Sequence, residues 1–241
     1  MTAAAVVVRV LGPPAVEGDS GLLSRPKARE AVVYLATHRR RPVAVDRLSE
    51  ALWPALLPQP ASLAVTLAAL RWLLEPEEER DMGMQLADTV VVDYEQLEYA
   101  VHRAGRADPD EARRLLWDAL KLVRGRPLDG DGRGYEWAFA DGLVYEMEAT
   151  VADAAHRLAE LCLDAGDAEG AHWAVRQGLR ASPGNEQLYR DQMHAANAAG
   201  NPAGVEAAWE ELGRMAEEEE PYDGLDPATV ATYRELSRRA S

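Results

Sequence analysis

Ala165-Gly-Asp-Ala-Glu-Gly-Ala171 lies in register over Ala199-Gly-Asn-Pro-Ala-Gly-Val205, 34 residues further along the chain. Each copy is preceded by one amphipathic run and followed by an Ala-rich one, with Ser182-Pro-Gly184 as the turn between them. A 34-residue helix-turn-helix period is the tetratricopeptide length. Gly ends one helix because it enters the left-handed conformation without steric cost, and small Ala side chains let paired helices approach closely. A looser copy spans about 93–124, with Gly105 at its turn and Asp108-Pro109 opening its second helix. Gly125 to Gly134 forms a long Gly-rich connection to the next copy. Asp226-Pro227 is an N-cap and N1 pair, which predicts a closing helix through Tyr233 and Leu236 that caps the stack.

Upstream of these copies the pattern changes. Val6 to Val10, then Leu11-Gly-Pro-Pro14 and Val16-Glu-Gly18, read as short strands separated by turn residues. Ala28, Ala31, Val32, Leu35 and Ala36 recur at helical spacing after Ser24-Arg-Pro26, which predicts a helix over about 25–38. Asp46 is the expected N-cap of a second helix that Pro54 ends after Trp53, and Pro60 opens a third through Leu74. The expected architecture is mainly α. A small α/β winged helix with a shortened acidic wing occupies 1–90, and an all-α tetratricopeptide-like helical-repeat domain occupies 91–241.

Composition fits two folded modules, with 241 residues, 47% hydrophobic and 28% charged. Cys162 is the sole cysteine, which excludes an intramolecular disulfide and a multi-cysteine zinc site and fits a reducing, cytoplasmic setting. Met1 to Val8 carries no basic residue before its apolar run, unlike a signal peptide, and no uncharged apolar run approaches the roughly 18 residues of a membrane span. No membrane contact by this chain is expected. The net charge is 26 − 41 = −15, divided as 9 basic against 6 acidic residues over 1–75 and 17 against 35 over 76–241. An acidic body repels phosphate within a Debye length of about 10 Å, so any nucleic-acid contact falls to the N-terminal part.

The chain resembles the bacterial transcriptional activator domain family, the SARP-type regulators with an OmpR-like winged helix and a tetratricopeptide-like domain. The N-terminal likeness rests on Leu11-Gly12, Val16, Gly18, Arg25-Pro-Lys27, Ala31, Leu35-Ala36, Asp46-Arg-Leu48 and Ala51-Leu-Trp53. The C-terminal likeness rests on Val92-Asp-Tyr94, Leu97, Leu120, Arg124-Gly-Arg-Pro-Leu128, Ser182-Pro183, Glu186 and Leu188-Tyr-Arg190. It continues through Met193, Gly200, Asp226-Pro227, Thr229, Tyr233 and Leu236. The resemblance implies a role in bacterial transcription, with the winged helix binding direct-repeat double-stranded DNA and the helical domain mediating self-association and protein contacts.

The third helix departs from that pattern. Leu63, Leu67, Leu70 and Leu74 form the expected core stripe, and the opposite face holds Ala61, Val65, Ala68, Ala69 and Trp72. Ser62, Thr66 and Arg71 sit on the flanks as the helix's candidate DNA contacts, whereas Val65, Ala69 and Trp72 suit a protein interface. Residues 75–91 leave little room for a wing and carry Glu75, Glu77, Glu78, Glu79, Asp81 and Asp88. The remaining cations, Arg39, Arg40 and Arg41 with Arg47, read either as a phosphate clamp or as solvated charges at a helix end. Trp173 and Trp209, at related places in the repeats, read either as core or as the lining of a groove for a partner.

No catalytic residue, metal ligand or cofactor is assigned. The five His lack H-E-x-x-H spacing, no phosphate-binding G-x-x-x-x-G-K-[ST] is present, and the calcium-like Asp129-Gly-Asp-Gly-Arg-Gly134 places Arg133 and Ala140 where oxygen ligands are required. Glu217 to Glu220 reads as a solvated helix end. The expected function is a SARP-like regulator module that works through its helical-repeat domain's protein contacts with weakened DNA binding. The alternative is an interaction scaffold whose winged helix no longer binds DNA.

Overall fold

The structure is a computed structural model that describes residues 6–18, 25–39, 41–54, 60–71, 73–74, 83–130, 134–218 and 224–239. Burial alternates along the first strand: Val6, Val8 and Val10 are buried, while Val7 and Arg9 between them are half-buried. This strand, β1 (Val7–Arg9), pairs antiparallel with β2 (Ala15–Glu17) and parallel with β3 (Val91–Val92), in the order β2-β1-β3. Val8 stands opposite Val16 on one side and Val92 on the other.

The chain divides into two compact units, residues 1–95 with 127–145, and residues 96–126 with 146–241. In the first unit, α1 (Pro26–Thr37) starts with Pro26 in its first turn, where a missing N–H costs nothing, and buries Ala31, Val32, Val33 and Leu35. α2 (Val45–Leu52) has Ala44, not the expected Asp46, at its N-cap, and no side chain caps it. Asp46 instead sits in the first turn, where its charge still complements the helix dipole. At the other end the Lys27 ammonium donates to the Leu52 carbonyl and pairs with Glu30 at 2.8 Å, fastening α2 to α1.

α3 (Pro60–Leu70) stops four residues before the expected Leu74. Leu73 closes a turn onto the Leu70 carbonyl at 2.8 Å, and Leu74 leaves the helix for an antiparallel bridge with Leu86. The core stripe is correspondingly rotated: Thr66, Leu70 and Leu73 are buried, whereas Leu63, Leu67 and Leu74 are only half-buried. Thr66 tolerates burial because its hydroxyl donates to the Ser62 carbonyl one turn back, at 3.0 Å.

After β3 the chain enters α4 (Asp93–Ala104) and α5 (Pro109–Leu120), then the short α6 (Glu136–Ala140). The second unit is completed by α7 (Leu143–Asp164), α8 (Ala168–Ala181), α9 (Glu186–Ala198), α10 (Pro202–Glu218) and α11 (Pro227–Arg239). The helix starts are set by local chemistry. Asp108, Asp167, Asn185 and Asn201 each accept the backbone N–H three residues on, from Glu111 (2.9 Å), Gly170 (2.8 Å), Leu188 (3.2 Å) and Gly204 (3.0 Å). Each cap is worth about 1 kcal/mol. Gly178 brings α8 against its neighbours, since a Cβ there would lie 2.7 Å from both Ala155 Cβ and Leu188 Cδ1.

α9, α10 and α11 close around Met193, Val205, Ala208 and Leu236, with Trp209 and Tyr233 packed on that cluster. The indole of Trp209 stacks on Tyr233 at 4.4 Å. Arg190 on α9 donates to Thr229 of α11 at 2.6 Å, and the Asp226 N–H donates to Glu186. These bonds hold α11 as the cap of the helical stack. Among the described residues no helix is long and apolar enough to cross a membrane.

Candidate functional site

The outer surface of α3 carries the residues that the sequence offers both as DNA contacts and as a protein interface. Ala61, Ala64, Val65 and Ala68 are exposed there, Val65 by 43%, and Ala69 is half-buried. The described polar groups near this face are the exposed Ser62 and, just beyond the helix, the exposed Arg71. Thr66 is turned inward and its hydroxyl is spent on Ser62. Base edges in the major groove are read by side-chain donors and acceptors, which Ala and Val lack. Trp72 lies outside the described residues, as do Glu75, Glu77, Glu78, Glu79 and Asp81 of the expected acidic wing.

The basic cluster is partly consumed by the fold. Arg39, with its side chain only 12% exposed, donates to the Val90 carbonyl (2.7 Å), the Ala87 carbonyl (2.8 Å) and Glu95 (3.1 Å), and lies 3.5 Å from Asp88. One guanidinium thus ties the end of α1 to the segment before β3 and to the first turn of α4. Arg41 and Arg47 are exposed, and Arg40 lies outside the described residues. Arg47 donates to the Tyr34 hydroxyl at 3.2 Å, a bond that raises its pKa further above the ordinary arginine value.

Tyr34 also anchors the segment that follows α5. His38 stacks on its ring at 4.1 Å, and Trp137 of α6 meets it edge-on at 4.7 Å. His38 Nδ1 lies 2.8 Å from the Tyr34 carbonyl, and its Nε2 faces Asp141 at 3.6 Å. Gly134, at φ +90°, passes so close to α1 that a Cβ would stand 3.2 Å from Glu30 Oε2. The next residue, Tyr135, is itself left-handed at φ 70°, and burial, then the Glu30 charge, pushes its phenol up to about 12. Glu30 Oε1 and Trp137 Nε1 are both sealed from solvent without a partner. His38 belongs to the basic cluster His38-Arg-Arg-Arg41 that the sequence offers as a phosphate clamp, but its stack on Tyr34 is not legible there, and the contacts of Tyr34 with Trp137 and of Glu30 with Gly134 join segments about a hundred residues apart and show no periodicity.

In the second unit, a groove of about 600 Å³ opens between α8, α9 and α10. Trp173, Arg176 and His172 line it from α8, Gln192 and Ala196 from α9, and Ala207 from α10. Trp173 is half-buried and stacks on Trp117 at 4.1 Å with their planes 13° apart. Trp209, its counterpart in the sequence reading, is half-buried against Tyr233 and does not line this groove.

Two further groups have settled places. His156 on α7 pairs with the buried Asp191 of α9 at 2.8 Å, and Gln187 donates to the other carboxylate oxygen at 3.0 Å. The Cys162 thiol is fully buried, and desolvation pushes it up to about 11, far from thiolate reactivity. Among the described residues no three His, Cys, Asp or Glu side chains group as metal ligands would. The Asp129 to Gly134 stretch is described only in part, since 131–133 lie outside the described residues, as do 219–220 of the Glu217 to Glu220 run.

Comparison with known proteins gives two findings. Residues 91–236 match the family model of the bacterial transcriptional activator domain. Among solved structures, the chain is similar to Mycobacterium tuberculosis EmbR, described in complex with a low affinity phosphopeptide. The likeness has a TM-score of 0.66 at 23% identity and covers 98% of this chain and 66% of the EmbR chain. It is a likeness of fold, and this chain spans about two thirds of that protein's length. No curated protein sequence matches.

Proposed function

Because this chain belongs to the bacterial transcriptional activator domain family, a family of transcription regulators, we propose that it is a SARP-like regulator module acting mainly through protein contacts. DNA binding by its winged helix is weakened rather than dominant. The observation that carries this reading is the exposed face of α3, where Ala61, Ala64, Val65 and Ala68 stand in place of groups that read base edges. Arg39 supports it, since its guanidinium is already bound to two carbonyls and to Glu95. EmbR, of like fold, is described with a phosphopeptide, which makes protein recognition a reasonable task for such a chain. The helical repeats and the α3 face are then the surfaces for a protein partner or for self-association, and a cytoplasmic setting accords with work on transcription.

Sedimentation velocity over a concentration series tests the α3 surface. The wild-type chain should show a concentration-dependent increase in sedimentation, and Val65→Glu should remove it while leaving the circular dichroism spectrum unchanged. Identical sedimentation of the two chains would strip α3 of the interface role. A second reading, a scaffold that has lost DNA binding altogether, is favoured by the sequestration of Arg39. Complete absence of duplex binding at low salt would select it.

A further inference from the structure

The groove of the second unit lies beside a stack of two indole rings. Asp167 and Asn201 cap α8 and α10 in the same way, so Trp173 and Ala207 occupy one place in the 34-residue register. On the side of α8 that meets α5, the space is filled by the Trp117–Trp173 stack. Toward α10, the register position equivalent to Trp173 is held by the small, exposed Ala207, and the groove opens between the two. The floor is built of Ala195, Ala196 and Gly204. A flat ring entering there would extend an existing two-ring stack to three, the offset-parallel arrangement aromatic systems favour.

The walls add polar requirements. Gln192 lines the groove while its Oε1 is sealed from solvent without a hydrogen-bond partner, and a turn of the side-chain amide toward the groove would let an N–H donor there recover the free energy that an unpaired buried acceptor costs. Arg176 and His172, one helical turn apart on α8, are exposed at the rim and form no ion pair among the described residues. Arg176 offers positive potential in a chain of net charge −15, and its guanidinium suits a planar carboxylate or a phosphate. Glu169, also on the rim, carries the opposing charge, so the acid group of a ligand is directed to Arg176, seven residues further along α8. A volume of about 600 Å³ lies within the roughly 300–1,000 Å³ of small-molecule sites.

We propose that the α8–α9–α10 groove binds a small aromatic anion: a planar ring with an N–H donor, stacked on Trp173, whose acid group pairs with Arg176. The ring occupies the space between Trp173 and Ala207, the N–H satisfies Gln192, and the charge complements the unpaired rim cation.

Isothermal titration calorimetry on the full chain with three acids of similar size separates these contributions. Indole-3-acetate has the ring, the N–H and the carboxylate, 1-methylindole-3-acetate lacks the N–H, and cyclohexaneacetate lacks the aromatic ring. Saturable binding of the first is expected with a Kd of about 0.01–1 mM, about tenfold weaker binding of the second, and none of the third at the same concentrations. Arg176→Gln, at an exposed position, should weaken indole-3-acetate about tenfold. Ala207→Trp should abolish binding by filling the gap with the chain's own ring. Absence of indole-3-acetate binding at about 1 mM, equal binding of all three acids, or affinity unchanged in Arg176→Gln would each overturn the proposal.

Discussion

The buried carboxylate of Asp93 accepts the backbone N–H of Val10 at 2.8 Å across 83 residues of sequence, and its second oxygen accepts that of Leu11 at 3.3 Å. Asp93 is the first residue of α4 and directly follows β3, so one side chain joins the end of the first strand to the start of a helix. A carboxylate suits the place twice, because it fills two backbone donors and lies at the positive end of the helix dipole. Asp93→Ala should lower stability by about 2–4 kcal/mol, since it strands two buried donors. Asp93→Asn should cost less, because one acceptor oxygen remains. Urea denaturation followed by circular dichroism measures both, and equal stability of Asp93→Ala and wild type would refute the bridge.

The arginines of the basic cluster should separate by role. Arg39→Ala removes donors to Val90, Ala87 and Glu95 and should destabilise the chain by about 1–3 kcal/mol. Arg41, which is exposed, should tolerate Ala within about 0.5 kcal/mol. Arg39→Lys should not restore stability, because a single ammonium cannot reproduce the forked geometry. Thermal melting of the three variants decides the matter, and a Lys variant as stable as wild type would show that charge alone is needed.

Asp191 predicts a pH dependence in the helical stack. Burial raises its pKa above the ordinary 3.8, against the opposing attraction of His156, the hydrogen bonds from His156 and Gln187, and the charge of His194. The folded chain therefore holds this proton more tightly than the unfolded chain. Between 3.8 and the raised value, stability contributed by this group falls as pH rises, and above that window the cost of the buried charge is fully present. Urea titrations at a series of pH values from about 4 upward should show a steeper loss in wild type than in Asp191→Asn. Parallel curves for the two would contradict the assignment.

What the sequence made legible is what neighbouring residues determine. The cap residues Asp108, Asp167, Asn201 and Asp226 stand where helices start, and the 34-residue register of Ala165-Gly-Asp over Ala199-Gly-Asn marks the turns of two successive helix pairs. The mainly α fold with a small N-terminal sheet follows from such signals. Contacts between distant segments were not legible. β3 is two residues long and exists through pairing with β1, so no local alternation announces it. The core stripe of α3 departs from the sequence pattern at Leu74, whose spacing is helical, and at Thr66, whose side chain is polar. Leu74 pairs with Leu86 instead, and Thr66 hides its hydroxyl on its own helix.

The candidate site was legible to the same extent. The apolar outer face of α3 could be read from Ala61, Val65 and Ala68 alone. The binding of Arg39 to the segment before β3 could not, since nothing in His38-Arg-Arg-Arg41 says which guanidinium turns inward. The sequence marks Trp173 as a groove or core residue, but its stack on Trp117 and the open place beside Ala207 emerge only when α5, α8, α9 and α10 are packed.

In the proposed function, protein contacts rather than DNA dominate this chain's work. Binding of the full chain to a generic labelled duplex, followed from about 50 mM salt upward, tests it most directly. A Kd no tighter than about 10 μM is expected at the lowest salt, with a shallow salt dependence, because the α3 face offers few cations among the described residues. Submicromolar binding that falls steeply with salt would mean that many phosphates are neutralised, and would contradict it.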